Sequence, residues 1–197
     1  MTSTRPDLIL ASASPRRLQL LDQIGIAPAR VVPADIDETV LAREQPRVHA
    51  VRIATEKAKA VHARLGEGDR RAVILAADTV VACGRRILPK TEDDATVTKC
   101  LALLSGRRHQ VITAVALIDT AGKLRTRIVD TKVSFRRLEA EEIAAYLDTR
   151  EGLGKAGGYA IQGRAAIFAR TINGSYSNVV GLPLTETFRL LQACGIA

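Results

Sequence analysis

Near the start of the chain, Ser12-Ala13-Ser14-Pro15-Arg16-Arg17 brings together two hydroxyls, a proline and two guanidiniums. The apolar run before it (residues 7–13) reads as a buried strand, so a strand feeds straight into a helix start. The free N–H groups and dipole of such a start favour an anion, and arginine adds a fork of donors that matches phosphate. An ordinary capped helix with solvated arginines is the other reading. Asp78 stands within an otherwise apolar run, Ile74-Leu75-Ala76-Ala77-Asp78-Thr79-Val80-Val81. A carboxylate there is costly unless it is paired, hydrogen-bonded or on a metal; a strand end open to solvent is the alternative. Asp35-Ile36-Asp37-Glu38-Thr39 clusters oxygens of the kind that suit Mg²⁺ or Mn²⁺, although many such loops are simply solvated.

Three lysines stand near these segments in the pattern: Lys57, Lys90 and Lys155. Taken singly, each is an ordinary surface residue. Between residues 152 and 163 lie five glycines, at 152, 154, 157, 158 and 163. Glycine lets a backbone come close to a flat ligand, and Gln162 offers both a donor and an acceptor for a base edge. The loop matches neither the P-loop nor the G-x-G-x-x-G dinucleotide pattern. No Ser–His or Cys–His grouping suggests a covalent route. The set suits metal-assisted hydrolysis of a polyphosphate better than acyl transfer.

The elements that must position these groups follow from pattern. Ser14 and Pro15 predict a helix start, with Leu18, Leu21 and Ile24 on its apolar face and Gly25 as its stop. Residues 47–65 predict an amphipathic helix ending at Gly66, with Val48, Val51, Ala54, Ala58, Val61 and Leu65 inward. Residues 73–82 predict a central strand, 84–88 its return, and 92–104 a helix ended by Ser105-Gly106. Residues 109–119 and 123–137 form a predicted hairpin. A helix over 139–147, a loop over 152–163, a strand over 165–171, a loop over 173–181 and a helix over 183–194 complete the expectation. Strands alternating with helices in one half and pairing as a hairpin in the middle point to an α/β fold: one domain spanning 1–197, with a mixed, twisted β-sheet flanked by helices and two lobes around a cleft.

With 47% apolar residues in 197, the chain can bury a substantial core, and 3% aromatics with no tryptophan means a core of Leu, Ile, Val and Ala. Cys83, Cys100 and Cys194 are odd in number and far apart, and none pairs with His49, His62 or His109 in a zinc pattern. Neither a disulfide framework nor a structural zinc site is expected. No apolar stretch reaches membrane-spanning length and no signal peptide is read, so the expectation is a cytoplasmic protein. A net charge of +8 favours acidic partners. Its basic residues are scattered as pairs (Arg16-Arg17, Arg70-Arg71, Arg85-Arg86, Arg107-Arg108, Arg136-Arg137) without interleaved aromatics. That argues against a stable nucleic-acid interface.

Read in order, the same segments resemble the Maf family of nucleotide pyrophosphatases over nearly the whole chain. The resemblance is carried by Leu8 through Arg17, Asp37-Glu38, Glu56-Lys57-Ala58, Ala77 through Val81, Leu104-Ser105-Gly106 with His109, Lys155 through Gly163, Asn173 through Tyr176, and Val180 through Leu184. It implies a Maf/ITPase-like fold and hydrolysis of a nucleoside triphosphate between its α and β phosphates, with a divalent cation, Mg²⁺ or Mn²⁺. By position it makes Asp78 the general base and, with Glu38, a metal ligand. Ser12, Arg17, Lys57 and Lys90 become the triphosphate grip. At Arg16, Thr79 and Gln162 the chain is similar to members favouring dTTP and UTP, modified pyrimidine nucleotides included, rather than 7-methyl-GTP. A homodimer is implied. A non-catalytic nucleotide-binding regulator of cell division or septum formation is the rival reading. Two stretches depart from the family's usual pattern: Lys90 lies between Pro89 and Thr91, and Arg150-Glu151-Gly152-Leu153-Gly154 leads into Lys155.

Overall fold

A computed structural model describes residues 5–66 and 71–197. Residues 1–4 and 67–70 lie outside the described residues, taking with them Arg70 of one basic pair. Strand β1 (Leu8–Leu10) is followed by α1 (Pro15–Gln23), β2 (Arg30–Val31), α2 (Pro46–Arg64) and β3 (Val73–Cys83). Then come β4 (Arg86–Leu88), α3 (Asp94–Leu104), β5 (Arg108–Ile118), β6 (Leu124–Phe135) and α4 (Ala140–Leu147). A 3-10 turn (Arg164–Phe168), β7 (Ala169–Asn173), α5 (Tyr176–Val180) and α6 (Leu184–Gln192) complete the chain.

These strands make one seven-stranded sheet in the order β2-β1-β3-β5-β6-β7, with β4 also paired to β3. β1 runs parallel to both its neighbours and the remaining pairs are antiparallel, so the sheet is mixed. From β1 the chain crosses to β2 on one side and then to β3 on the other. Open α/β sheets bind ligands at the carboxyl end of such a strand, and Ser12 to Arg17 follow that end here.

The period of two along β3 decides which helix each of its residues meets. Val73, Leu75, Ala77 and Val81 belong to the core shared with Leu20 and Leu21 of α1, Leu101 and Leu104 of α3 and Leu190 of α6. Ile74, Ala76 and Val80 belong to the opposite core, against Ala50, Ala54, Ala58 and Val61 of α2. Three alanines four residues apart let α2 lie close on the sheet. Asp78 therefore faces α2, while Thr79 faces α1.

Several expected faces and bounds change. Leu18 is 40% exposed, and its helix instead buries Arg17, Leu20 and Leu21, because Arg17 is drawn inward by three acceptors. Val48 is likewise exposed, while His49 and Lys57 are buried on α2 through ionic partners. The strand expected over 165–171 starts as a 3-10 turn, closed by Ala166 N–H on Gly163 O at 3.0 Å, and becomes strand only at Ala169. Within the loop expected over 173–181, Ser175 accepts from Asn178 N–H and starts the five-residue α5. β2, only two residues long, had no signal. Among the described residues no helix is long and apolar enough to cross a membrane.

Candidate active site

One cleft of about 580 Å³ opens at the carboxyl end of β1. Its wall includes Ser12, Arg16, Arg17, Glu38, Lys57, Asp78, Thr79, Lys90 and Lys155. Eight of the nine residues that the resemblance marks for the site converge there. Gln162 does not line it; that side chain is exposed on the glycine loop.

On the α2 side, Lys57 Nζ donates to Asp78 Oδ1 at 2.9 Å and bonds Glu38 Oε1 at 2.8 Å. Lys57 and Asp78 are 7% and 4% exposed, so this is a buried ion pair with a second carboxylate closing over it. Glu38 also takes a hydrogen bond from the exposed Lys90 ammonium. Burial by itself would raise the Glu38 pKa, but hydrogen bonds from Lys57 and Lys90 together outweigh it and hold the carboxyl below its usual value.

On the α1 side, the Arg17 guanidinium is buried and held by three acceptors. Nε donates to Gly181 O at 2.9 Å, Nη1 to Ser12 Oγ at 3.1 Å and Nη2 to Thr79 Oγ1 at 3.2 Å. Burial lowers its pKa, with the Asp78 charge working the other way. A guanidinium has five N–H donors, so two remain after these bonds. The Ser14 hydroxyl does not cap α1; Ser14 N–H donates to Ser12 Oγ at 3.2 Å. Ser12 Oγ thus accepts twice and keeps its own proton to donate. Burial also lowers the pKa of Arg16 and, together with the Arg16 charge, that of Lys155.

The glycine loop makes its close approaches to protein. A Cβ on Gly157 would sit 2.8 Å from Val81 Cγ1, and one on Gly158 would press on Val97, Cys100 and Thr91. Both residues have φ near +70°, where side chains are strained. The unusual Pro89-Lys90-Thr91 stretch is what the loop docks on. Gly157 N–H donates to Pro89 O at 3.0 Å, Gly154 N–H to Thr91 O at 2.7 Å, and Thr91 Oγ1 to Gly152 O at 2.5 Å. Lys90 also bridges to Ala156. The other departure finds a partner as well: Arg150 pairs with Asp94 at 2.8 Å.

Sequence reading missed the fastening of the acidic loop. Glu44, whose side chain is 4% exposed, takes Arg52 Nε at 2.7 Å, Arg52 Nη2 at 2.9 Å and Leu41 N–H at 3.0 Å, and lies 2.9 Å from His49 Nδ1. Arg52 Nη2 donates also to Thr39 O at 2.9 Å, next to Glu38. Asp35 and Arg43, with φ of 47° and 61°, bend the chain at either end of this loop. The available signal was the Arg52/Glu56 spacing on α2, which brings those charges to one face and gives a 3.3 Å contact.

A model of the Maf-like protein family matches residues 7–194. The chain belongs to the Maf family. Relatives include a dTTP/UTP pyrophosphatase of Novosphingobium aromaticivorans, 57% identical, covering 97% of this chain and 93% of that one. Another, a dTTP/UTP pyrophosphatase of Caulobacter vibrioides, is 57% identical over 96% of each chain. Among solved structures, a HAM1 protein from Coxiella burnetii covers 95% of this chain and 99% of its own with TM-score 0.50 at 16% identity. That likeness concerns the fold alone. The expected Maf/ITPase-like α/β architecture is the one observed.

Proposed function

We propose that this Maf-family chain hydrolyses dTTP and UTP, modified pyrimidine nucleotides among them, to the monophosphate and pyrophosphate. The observation that carries the reading is the cleft's pairing of a buried carboxylate, Asp78, with a guanidinium, Arg17, that keeps two donors free. The relatives' dTTP/UTP activity supplies the nucleotide class.

In this reading the triphosphate lies across the cleft. Arg17 and the Ser12 hydroxyl donate to phosphate oxygens at the start of α1, where the helix dipole also favours negative charge. Lys57 and Lys90 neutralise charge as pyrophosphate leaves. Asp78, held in place by Lys57, accepts the proton of the attacking water. Arg16, Thr79 and Gln162 select the nucleotide; Gln162 reaches it only through movement of the exposed loop that carries it.

Glu38 and Asp78 both bond one ammonium, so two carboxylates converge at one point of the cleft. Among the described residues no three His, Cys, Asp or Glu side chains are grouped so that they could hold a metal ion by themselves. Two carboxylates completed by waters and phosphate oxygens form a donor set that suits Mg²⁺ or Mn²⁺. These residues therefore fit a divalent cation, held by Glu38 and Asp78. When bound, it supplies charge neutralisation and lowers the pKa of a bound water. The protein acts in the cytoplasm as a homodimer in this reading.

The test incubates the protein with a panel of nucleoside triphosphates and Mg²⁺ or Mn²⁺, measuring pyrophosphate and monophosphate, beside Asp78→Asn. Release from dTTP and UTP, lost in the variant, is expected. Turnover of 7-methyl-GTP instead would overturn the nucleotide class. Binding without release from any nucleotide would refute the enzyme.

A further inference from the structure

Beneath the cleft floor runs a chain of hydrogen bonds whose direction the chemistry of its two ends determines. At one end is Arg17, which can only donate. At the other is Asn178 O, a carbonyl that can only accept. Between them stand two hydroxyls on paired strands, Thr79 on β3 and Thr113 on β5, directly opposite in register. Thr113 Oγ1 donates to Asn178 O at 3.1 Å, the two Oγ1 atoms are 3.0 Å apart, and Arg17 Nη2 donates to Thr79 Oγ1 at 3.2 Å.

Thr113 is fully buried and has a single proton. Spending it on Asn178 O leaves its oxygen to accept, so the Thr79 proton points to Thr113. The other acceptor within reach of Thr79, Gly181 O at 3.4 Å, is a backbone carbonyl that already takes Arg17 Nε. Either way the Thr79 hydroxyl spends its proton on a protein acceptor and turns only lone pairs to Arg17 and the cleft. The far end is equally fixed: Asn178, with no exposure, donates through Nδ2 to Val111 O and Thr131 Oγ1, both at 2.9 Å.

We propose that Thr113, which does not line the cleft, is a positioning residue. By taking the Thr79 proton it holds Thr79 as a pure acceptor, and through Thr79 it orients Arg17 toward the phosphates. This deepens the pyrophosphatase reading and rests on it. A pyrimidine's N3–H is a donor that a lone-pair-only Thr79 can accept, so the same bond biases the cleft toward that edge.

The experiment is a double-mutant cycle of Thr79→Val and Thr113→Val, read as kcat/KM for dTTP and as Kd for inorganic tripolyphosphate, which needs no turnover. Loss of the hydrogen bond to the charged Arg17 predicts a kcat/KM about tenfold lower and a Kd about tenfold higher for Thr79→Val, and loss of the neutral hydroxyl bond predicts changes of about three- to tenfold in the same directions for Thr113→Val. Because one residue acts through the other, the double variant falls no further than Thr79→Val alone, and Thr113→Ser stays within about twofold of the parent. Losses that multiply, or a Thr113→Val protein that matches the parent on both readouts, would overturn the proposal. If Thr113→Val does not fold, Thr113→Cys, similar in size with a weaker hydrogen bond, takes its place in the cycle under the same criteria. A parent without turnover on any nucleotide defeats the enzyme reading, while the tripolyphosphate cycle still decides the role of Thr113.

Discussion

Replacing Lys57 by methionine keeps the side chain's bulk and removes only the ammonium that Asp78 and Glu38 share. Asp78 is 4% exposed and would be left desolvated beside a second carboxylate. Breaking a buried pair in this way costs about 3–5 kcal/mol. Asp78→Asn is the gentler change, because Lys57 keeps Glu38 at 2.8 Å and the amide oxygen can still accept. A lost or weakened hydrogen bond to a charged group costs about 1.5–3 kcal/mol. For a chain of this size each kcal/mol moves the melting temperature by roughly 2–4 °C. Lys57→Met should therefore melt about 6–20 °C below the parent, and Asp78→Asn about 3–12 °C below. Thermal unfolding followed by far-UV circular dichroism at neutral pH is the assay, since the chain has no tryptophan to report by fluorescence. A Lys57→Met protein within about 2 °C of the parent would refute the reasoning, as would Asp78→Asn proving the more damaging.

The Glu44 fastening should show itself in acid. Arg52's hydrogen bonds, opposed by burial and helped by Leu41 N–H and His49, hold the Glu44 carboxyl down at about 2. An unfolded glutamate titrates near ~4.3, so the stabilisation is complete above that pH and drains away as pH falls toward 2. Urea unfolding of the parent and of Glu44→Gln should differ most near pH 6 and converge toward pH 2.5; a constant gap would contradict this. Gly157→Ala should destabilise by about 2–4 kcal/mol, adding overpacking on Val81 to a left-handed backbone. Gly25→Ala, with similar φ and nothing within 4 Å, should lose only about 1 kcal/mol by the same denaturant titration.

Long apolar runs made the sheet readable. β3, β5 and β6 were placed within a residue or two because no helix period competes with their pattern, and Gly25 and Ser105-Gly106 marked helix ends by backbone need. Helix faces were less readable. The pattern assigned Leu18 and Val48 inward, yet Arg17 and Lys57 took the interior because ionic and carbonyl partners from distant segments neutralise their burial. Asp78 stood out as a polar residue in an apolar strand. Thr113 carries the same signal in Val111-Ile112-Thr113-Ala114-Val115 and went unread, since threonine suits a strand and attracts no notice. The Glu44–Arg52 fastening joins residues eight apart across a loop and a helix, a geometry that no period encodes. The glycine loop comes close, as its composition suggested: Gly157 packs on Val81, while Gly154 and Lys155 line the cleft.

The two sides of the cleft are built as unlike jaws. The jaw bearing Lys90 and Lys155 is tied together by the backbone bonds of residues 89–91 to residues 154–157 and rests on β3 through Gly157 against Val81, and β3 also carries Asp78. Asp78 and the Gly157 end of that wall thus meet on the same strand. The opposite jaw, residues 33–44 with Glu38, rests on side-chain bonds to α2 and turns at two left-handed residues. Displacing residues 33–44 would part Glu38 from Lys57 and Lys90 while leaving the packing of Gly157 on Val81 as it stands, so the two walls of the cleft answer to separate sets of bonds.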